Sequence, residues 1–250
     1  MSYKDTGLIF AGNIYMAKMA GDNPTEFAGP INVTRLELTP PQPEEIVRTS
    51  FERDTFGQAL DSVNLPGEAP RIAMDFDSLP SELLADALAG TVEGFDEAVK
   101  TATAEPVTLS NGMWMKLPLS HIDASSIVVT DPVGPTVLVQ GDDYQIEAVT
   151  GLIRALNDTA AVAVTVDYDT LAAKGNRVLG ATEISKKRQV IMDGINLVTG
   201  KPAAVTVWAA TFSATQAMDL MSREFVSGTL EGTMITPEGK TSPYEIDFVE

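Results

Sequence analysis

The sequence predicts a mainly β chain carrying one flanking amphipathic helix. Three observations lead there. Apolar and polar residues alternate with period two wherever a pattern is legible, only one segment combines a full helical period with start and stop signals, and no strand-helix alternation builds a parallel sheet.

Taken in order, residues 53–70 form a connection that is long for a compact domain, and connections of that length tend to be functional, so they are read as a protruding contact loop. Ile72, Met74 and Phe76 then alternate with Arg71, Asp75 and Asp77, the pattern of a half-buried strand. From Asp77 to Gly90 a polar cap and Pro80 precede Leu83, Leu84, Ala87 and Leu88, and Gly90 is placed to close the helix in a left-handed conformation.

Punctuation around Glu105-Pro106 and around 171–176 brackets a middle segment dense in short β signals. These include Val137 to Val139, a turn at Gly141-Asp142-Asp143, Tyr144 to Glu147, and a tight turn at Thr150-Gly151. Residues 106–172 are either an inserted small β domain or strands of the main domain formed by 1–105 and 173–250, and sequence leaves both open. Val162, Val164, Val166 and Tyr168 alternate with Thr165, Asp167 and Asp169 as a strand. A shorter helix is expected from a Ser213 cap through Met218 to Met221. Val226, Leu230 and Met234 alternate with polar residues as a further strand. Beyond the turn at Pro237-Glu238-Gly239-Lys240, a final hairpin sends Tyr244, Ile246 and Phe248 one way and Glu245 and Asp247 the other.

The chain has 250 residues, 17 basic against 35 acidic side chains, a formal charge of −18 and no cysteine. A chain this size buries a core without disulfides or metals. The acidity argues against tight binding of nucleic acid or an anionic membrane, since both rely on clustered Lys and Arg. The first 21 residues show no basic segment followed by a continuous apolar run, so no signal peptide is expected. No apolar run approaches the roughly 18 residues of a membrane span, and the protein is expected to be soluble.

Catalytic signatures are not found, and the chain is read as a non-enzyme without cofactor or metal. His121 is the single histidine, which excludes a two-histidine zinc site, and no serine stands in a nucleophile elbow. The stretch Gly194 to Lys201 is not a phosphate loop, because its glycines are too far apart and Pro202 stands where a hydroxyl is required. The acidic pairs Asp75/Asp77 and Asp167/Asp169 each fall on the polar face of a strand, where carboxylates are structural or solvated. Lys186-Lys187-Arg188 is read as pairing with carboxylates across a subunit contact.

Several stretches together resemble the tail tube proteins of long-tailed, siphovirus-like bacteriophages. They are TGLIFAGNIYM (6–16), FGQALDSVNLP (56–66) followed by RIAMDFDSLPSELLADALAG (71–90), QGDDYQIEAVTGLIRAL (140–156) with VDY after it, and IMDGINLVTGK (191–201). The resemblance implies a tail-tube β-sandwich or barrel with one flanking helix, closing into hexameric rings that stack as a hollow tube. It also implies the partners: further copies of the chain, a tape measure protein, tail-tip or baseplate and tail terminator proteins, and double-stranded DNA that passes without tight binding. The location it implies is the virion tail, after assembly in the host cytoplasm.

Under this resemblance Glu37, Glu52, Glu231, Glu245 and Asp247 are the candidates to line an acidic channel. Arg53, Asp54, Phe56, Leu60, Leu65, Pro66 and Gly67 are the candidates for an inter-ring loop whose tip lies near Leu65 to Gly67. The rival class is a β-sandwich binding module, an adhesin or capsid decoration protein, with Gly141-Asp142-Asp143-Tyr144 as a ligand or calcium loop.

Overall fold

A computed structural model describes residues 7–131, 133–134 and 136–249. The expectation of no signal peptide rests partly on residues 1–6, which lie outside the described residues. Six strands come first: β1 (Phe10–Ala20), β2 (Asn23–Ile31), β3 (Val33–Thr39), β4 (Gln42–Thr49), β5 (Ala59–Glu68) and β6 (Arg71–Phe76). The helix α1 (Ser81–Ala87) and β7 (Thr91–Glu97) follow. Next come β8 (Thr101–Thr108), β9 (Met115–Lys116), β10 (Val128–Asp131), β11 (Thr136–Val137), β12 (Tyr144–Glu147), β13 (Leu152–Ala155) and β14 (Ala163–Asp169). The remaining strands are β15 (Ala173–Leu179), β16 (Ser185–Asn196), β17 (Lys201–Ala214), β18 (Gly228–Met234) and β19 (Tyr244–Phe248). The chain is mainly β, with one helix among the described residues.

Two compact units result, residues 1–93 with 178–250 and residues 94–177. The divisions fall inside β7 and β15, which pair with each other as a two-stranded ribbon. The punctuation at Glu105-Pro106 does not interrupt a strand: Glu105 lies opposite Val166 and Pro106 opposite Thr165.

In the first unit an antiparallel sheet runs in the order β2-β1-β16-β17-β18-β6-β3, with β19 beside β17. Only Asn32 separates β2 from β3, yet these strands stand at opposite ends of that order. One residue spans less than 4 Å of chain, so the sheet must curl until its ends approach. The curl encloses Ile14, Met16, Ile72, Met74, Phe76, Val207, Phe212 and Leu230 in one core, with Leu83 of α1 packed into it.

The expected alternation in β6 is observed, with Ile72, Met74 and Phe76 buried and Asp75 on the opposite face. In β18 Leu230 and Met234 point inward, but Val226 precedes the strand. The expected final hairpin does not form. Its turn is present, Lys240 donating its backbone N–H to the Pro237 carbonyl at 3.2 Å, but β18 and β19 both pair with β17, at residues 210–214 and 203–207 respectively. At 14 residues β17 is long enough to seat two short strands end to end.

Helix α1 differs from expectation at both ends. Pro80 stands at its N-terminus with no side-chain cap. At its C-terminus Ala89, not Gly90, takes the left-handed conformation, at φ 49°. Gly90 is required for a different reason, because a Cβ there collides with the Leu179 carbonyl oxygen. The buried face is Leu83, Ala85, Asp86 and Ala87, while Leu84 and Leu88 are half-buried.

Asp86 and Arg188 are 6 % and 7 % exposed. The Arg188 Nε donates to Oδ2 at 3.0 Å and its Nη2 to Oδ1 at 2.8 Å, and Lys186 Nζ reaches the same carboxylate at 2.8 Å. Lys187 pairs with Asp22 at 2.7 Å. The basic triplet expected to serve a subunit contact is therefore spent inside the chain, because β16 carries Lys186 and Arg188 on the face that meets α1.

The expected second helix, from Ser213 to Met221, is absent. Strand β17 continues to Ala214, with Ser213 between Ser185 and Glu231, and residues 215–227 form an irregular loop. Sheet pairing overrides the local cap signal.

The second unit is a small sandwich of two antiparallel sheets, β11-β10-β14-β8 and β12-β13-β9. Val129, Val164, Val166 and Tyr168 from the first meet Tyr144, Ile146, Ile153 and Ala155 from the second in one core. The Thr150-Gly151 turn connects β12 and β13, and Gly151, at φ 71°, donates to the Glu147 carbonyl at 2.8 Å.

Candidate assembly surface

The curled sheet has one wet face, and strand register decides which side chains share it. Glu37 lies opposite Ala73, Ala73 opposite Glu231, and Glu231 opposite Ser213. Residues opposite one another in antiparallel strands point to the same side, so Glu37 and Glu231 stand in one row about 10 Å apart. Farther along β17, Glu245 lies opposite Thr206 and Asp247 opposite Ala204. A bulge leaves Ala209 and Ala210 both buried, and it carries the wet face from Ala204 and Thr206 to Thr211 and Ser213.

Four of the five channel candidates thus share the wet face. Glu52 does not, because it lies at the tip of a separate hairpin. Asp75, expected as a structural or solvated carboxylate, also belongs to this face, as does Asp193, opposite Ala204, which no sequence signal singles out. Its charge is unevenly balanced. Arg35 bridges Asp75 at 2.9 Å and Glu37 at 3.4 Å, and Arg71 meets Glu231 at 3.4 Å. Glu245 and Asp247 have no ion pair among the described residues, and they leave the β19 end of the face negative.

The contact loop expected over 53–70 is part of a longer arm, the hairpin of β4 and β5: it takes in most of the tip and the whole returning strand β5. All eight residues of β4 and all ten of β5 are exposed. Ile46 lies opposite Val63 and Arg48 opposite Asp61, with the Arg48 and Asp61 side chains bridged at 2.8 Å. The tip comprises residues 50–58, and this corrects the expectation of a tip near Leu65 to Gly67. Leu65 and Pro66 instead pair with Glu44 and Pro43 near the base, and Leu60 lies within β5. Arg53, Asp54 and Phe56 are at the tip.

The tip is ordered by its own bonds. Ser50 donates its N–H to the Gln58 carbonyl at 2.8 Å and accepts the Gly57 N–H at 2.9 Å, and its hydroxyl meets that of Thr55 at 2.7 Å. Phe51 and Phe56 contact edge to face at 5.6 Å, yet are 82 % and 70 % exposed. An aromatic pair is thereby held out in water.

The remaining polar candidates serve local structure. Asp143 accepts the Val139 N–H at 2.9 Å and the Asn157 amide at 3.1 Å, and these bonds hold its carboxyl below the usual carboxylate value. The acidic turn is a clasp between the segment after β11 and the segment after β13, and among the described residues no three His, Cys, Asp or Glu side chains group as a metal site. The Ser125 hydroxyl and N–H lower Asp123 in the same way, while burial raises the phenols of Tyr144 and Tyr168. Asp167 accepts the Ala104 N–H and Asp169 the Thr101 hydroxyl, at 2.7 and 2.6 Å. His121 sits in a loop at φ 56°, with its backbone bonded to Val149 and Leu171. Among the described residues no helix is long and apolar enough to cross a membrane.

No curated protein matches the chain. The model of one family, described as "Protein of unknown function UCP028589", matches residues 8–244, and the chain belongs to that family.

Proposed function

We propose that the chain is a structural, non-enzymatic virion subunit whose copies close into rings and stack as the tail tube of a long-tailed phage. The observation that carries this reading is the arm. A two-stranded hairpin exposed on both faces is marginal in water, and this one adds Ile46, Val63, Leu65 and the Phe51/Phe56 pair to solvent. Such a ribbon gains its burial from a neighbouring ring.

The wet sheet face supports the same reading. Duplex DNA carries about one negative charge per 1.7 Å and adheres to basic walls, whereas a face ending in Glu245 and Asp247 repels it. In this role Glu37, Glu231, Glu245 and Asp247 face the bore, around a tape measure protein first and DNA later. Glu52 belongs with the arm.

Replacing residues 51–57 by a short glycine turn tests the reading. The variant is expected to keep the parent's thermal unfolding and to lose stacking in negative-stain micrographs. Tubes of normal length from this variant contradict the proposal.

A further inference from the structure

A tight turn in the second unit has no role in the arm or the wet face. The chain has eight asparagines, and only Asn111 is followed by glycine. The other seven precede proline or a residue with a side chain, which crowds the backbone nitrogen next to the asparagine. Asn111 and Gly112 hold the two central positions of the turn, whose Met113 N–H donates to the Ser110 carbonyl at 3.3 Å. Gly112 has φ 73°, a conformation that glycine adopts at no steric cost.

Both residues are exposed, yet both are held. The Asn111 Nδ2 donates to the Asp158 carboxylate at 2.8 Å, and the Gly112 N–H donates to the Ala155 carbonyl at 3.1 Å. Ala155 ends β13 and Asp158 follows it, so one segment pins the carboxamide and its neighbouring backbone nitrogen together. Strand β9 leaves the turn and pairs with the same β13, Met115 opposite Ile153 and Lys116 opposite Leu152. The turn is thereby latched to the end of β13.

We infer that Asn111-Gly112 is a site of spontaneous deamidation and that Asp158 restrains the reaction in the folded chain. The Gly112 nitrogen attacks the Asn111 Cγ, a bond forms between them, and the Cγ–Nδ2 bond breaks. The amide nitrogen departs as ammonia, carrying the proton that Gly112 gives up. Water then opens the five-membered imide to aspartate or isoaspartate, and no oxidant or reductant is needed. Attack requires a carboxamide free to turn its face to the Gly112 nitrogen, and a Gly112 N–H released from its acceptor. The Asp158 bond opposes the first requirement and the Ala155 bond the second.

The product weakens its own latch. A carboxylate at position 111 has no proton to donate, and it stands against the carboxylate of Asp158, where like charges repel. The turn then comes away from β13 and exposes the backbone around Trp114. This inference does not depend on the tube reading.

Mass spectrometry of peptides from protein aged at neutral pH tests it, by following the exchange of amide for acid at each asparagine. Conversion is expected at Asn111 ahead of the other seven, slowly in the folded parent and faster in the same chain unfolded in urea. Folded Asp158→Ala, checked by circular dichroism, is expected to convert at least about threefold faster than the parent, the effect of one lost hydrogen bond. Asp158→Asn, whose amide oxygen accepts the same bond, is expected to stay near the parent. Asn111→Asp, which carries the product carboxylate, is expected to be cut by chymotrypsin at Trp114 at least about threefold faster, as local opening makes the bond accessible.

Earlier conversion at another asparagine overturns the site. Equal rates in folded and urea-unfolded parent overturn the restraint without recourse to any variant, and equal rates in the parent and folded Asp158→Ala remove Asp158 from it. An unchanged chymotryptic rate in Asn111→Asp overturns the release of the turn.

Discussion

Arg188 on β16 grips both carboxylate oxygens of Asp86 on α1, at 3.0 and 2.8 Å, with both side chains under a tenth exposed. This fork, with Lys186 on the same carboxylate, fastens the helix to the sheet. Removing one partner leaves buried charge uncompensated, which costs about 3–5 kcal/mol. Asp86→Ala is therefore expected to lower the urea midpoint steeply. A midpoint within experimental error of the parent contradicts the anchoring role.

Gly90→Ala provides a second test of the same junction. The added methyl meets the Leu179 carbonyl, so the backbone after α1 has to move. Overpacking of this kind costs about 1–3 kcal/mol. The thermal midpoint is expected to fall, whereas an unchanged or raised midpoint shows that this junction yields freely.

The Asp143 clasp predicts a pH dependence. Its folded carboxyl lies below the ordinary value because Val139 and Asn157 donate to the charged form. The unfolded chain therefore binds the proton more readily. The clasp's stabilisation is complete above about pH 4 and is lost as pH falls through the lower folded value. In Asp143→Asn the acid limb of stability against pH is expected to flatten in that window. An unaltered limb rules out the clasp as its source.

The wet face predicts a change in DNA handling. Glu245→Lys with Asp247→Lys reverses the charge at the β19 end without touching the core. Assembled particles of the variant are expected to retain duplex DNA at low salt and release it as salt rises, whereas the parent retains none. Equal retention by both places these residues away from the bore.

Legibility in the sequence followed how local each signal was. Ile72, Met74 and Phe76 were readable because period two is written in adjacent residues, and α1 was readable from Pro80 and the leucines after it. The second helix was misread because Ser213 belongs to a strand whose partners, Ser185 and Glu231, lie far away or beyond a loop. The final hairpin was misread because β19 pairs with β17 rather than with the strand just before it. Alternation alone put Glu37, Glu231, Glu245 and Asp247 on the polar side of their own strands, and the pairing of those strands makes it one face. Their ion pairs, the displacement of Glu52 to the arm and the burial of Asp86 required the register of strands distant in sequence.

Negative-stain electron microscopy of the purified chain across rising concentration tests the central claim most directly. The account predicts rings that stack into hollow tubes. Separate compact particles at every concentration and salt contradict it and favour a binding module.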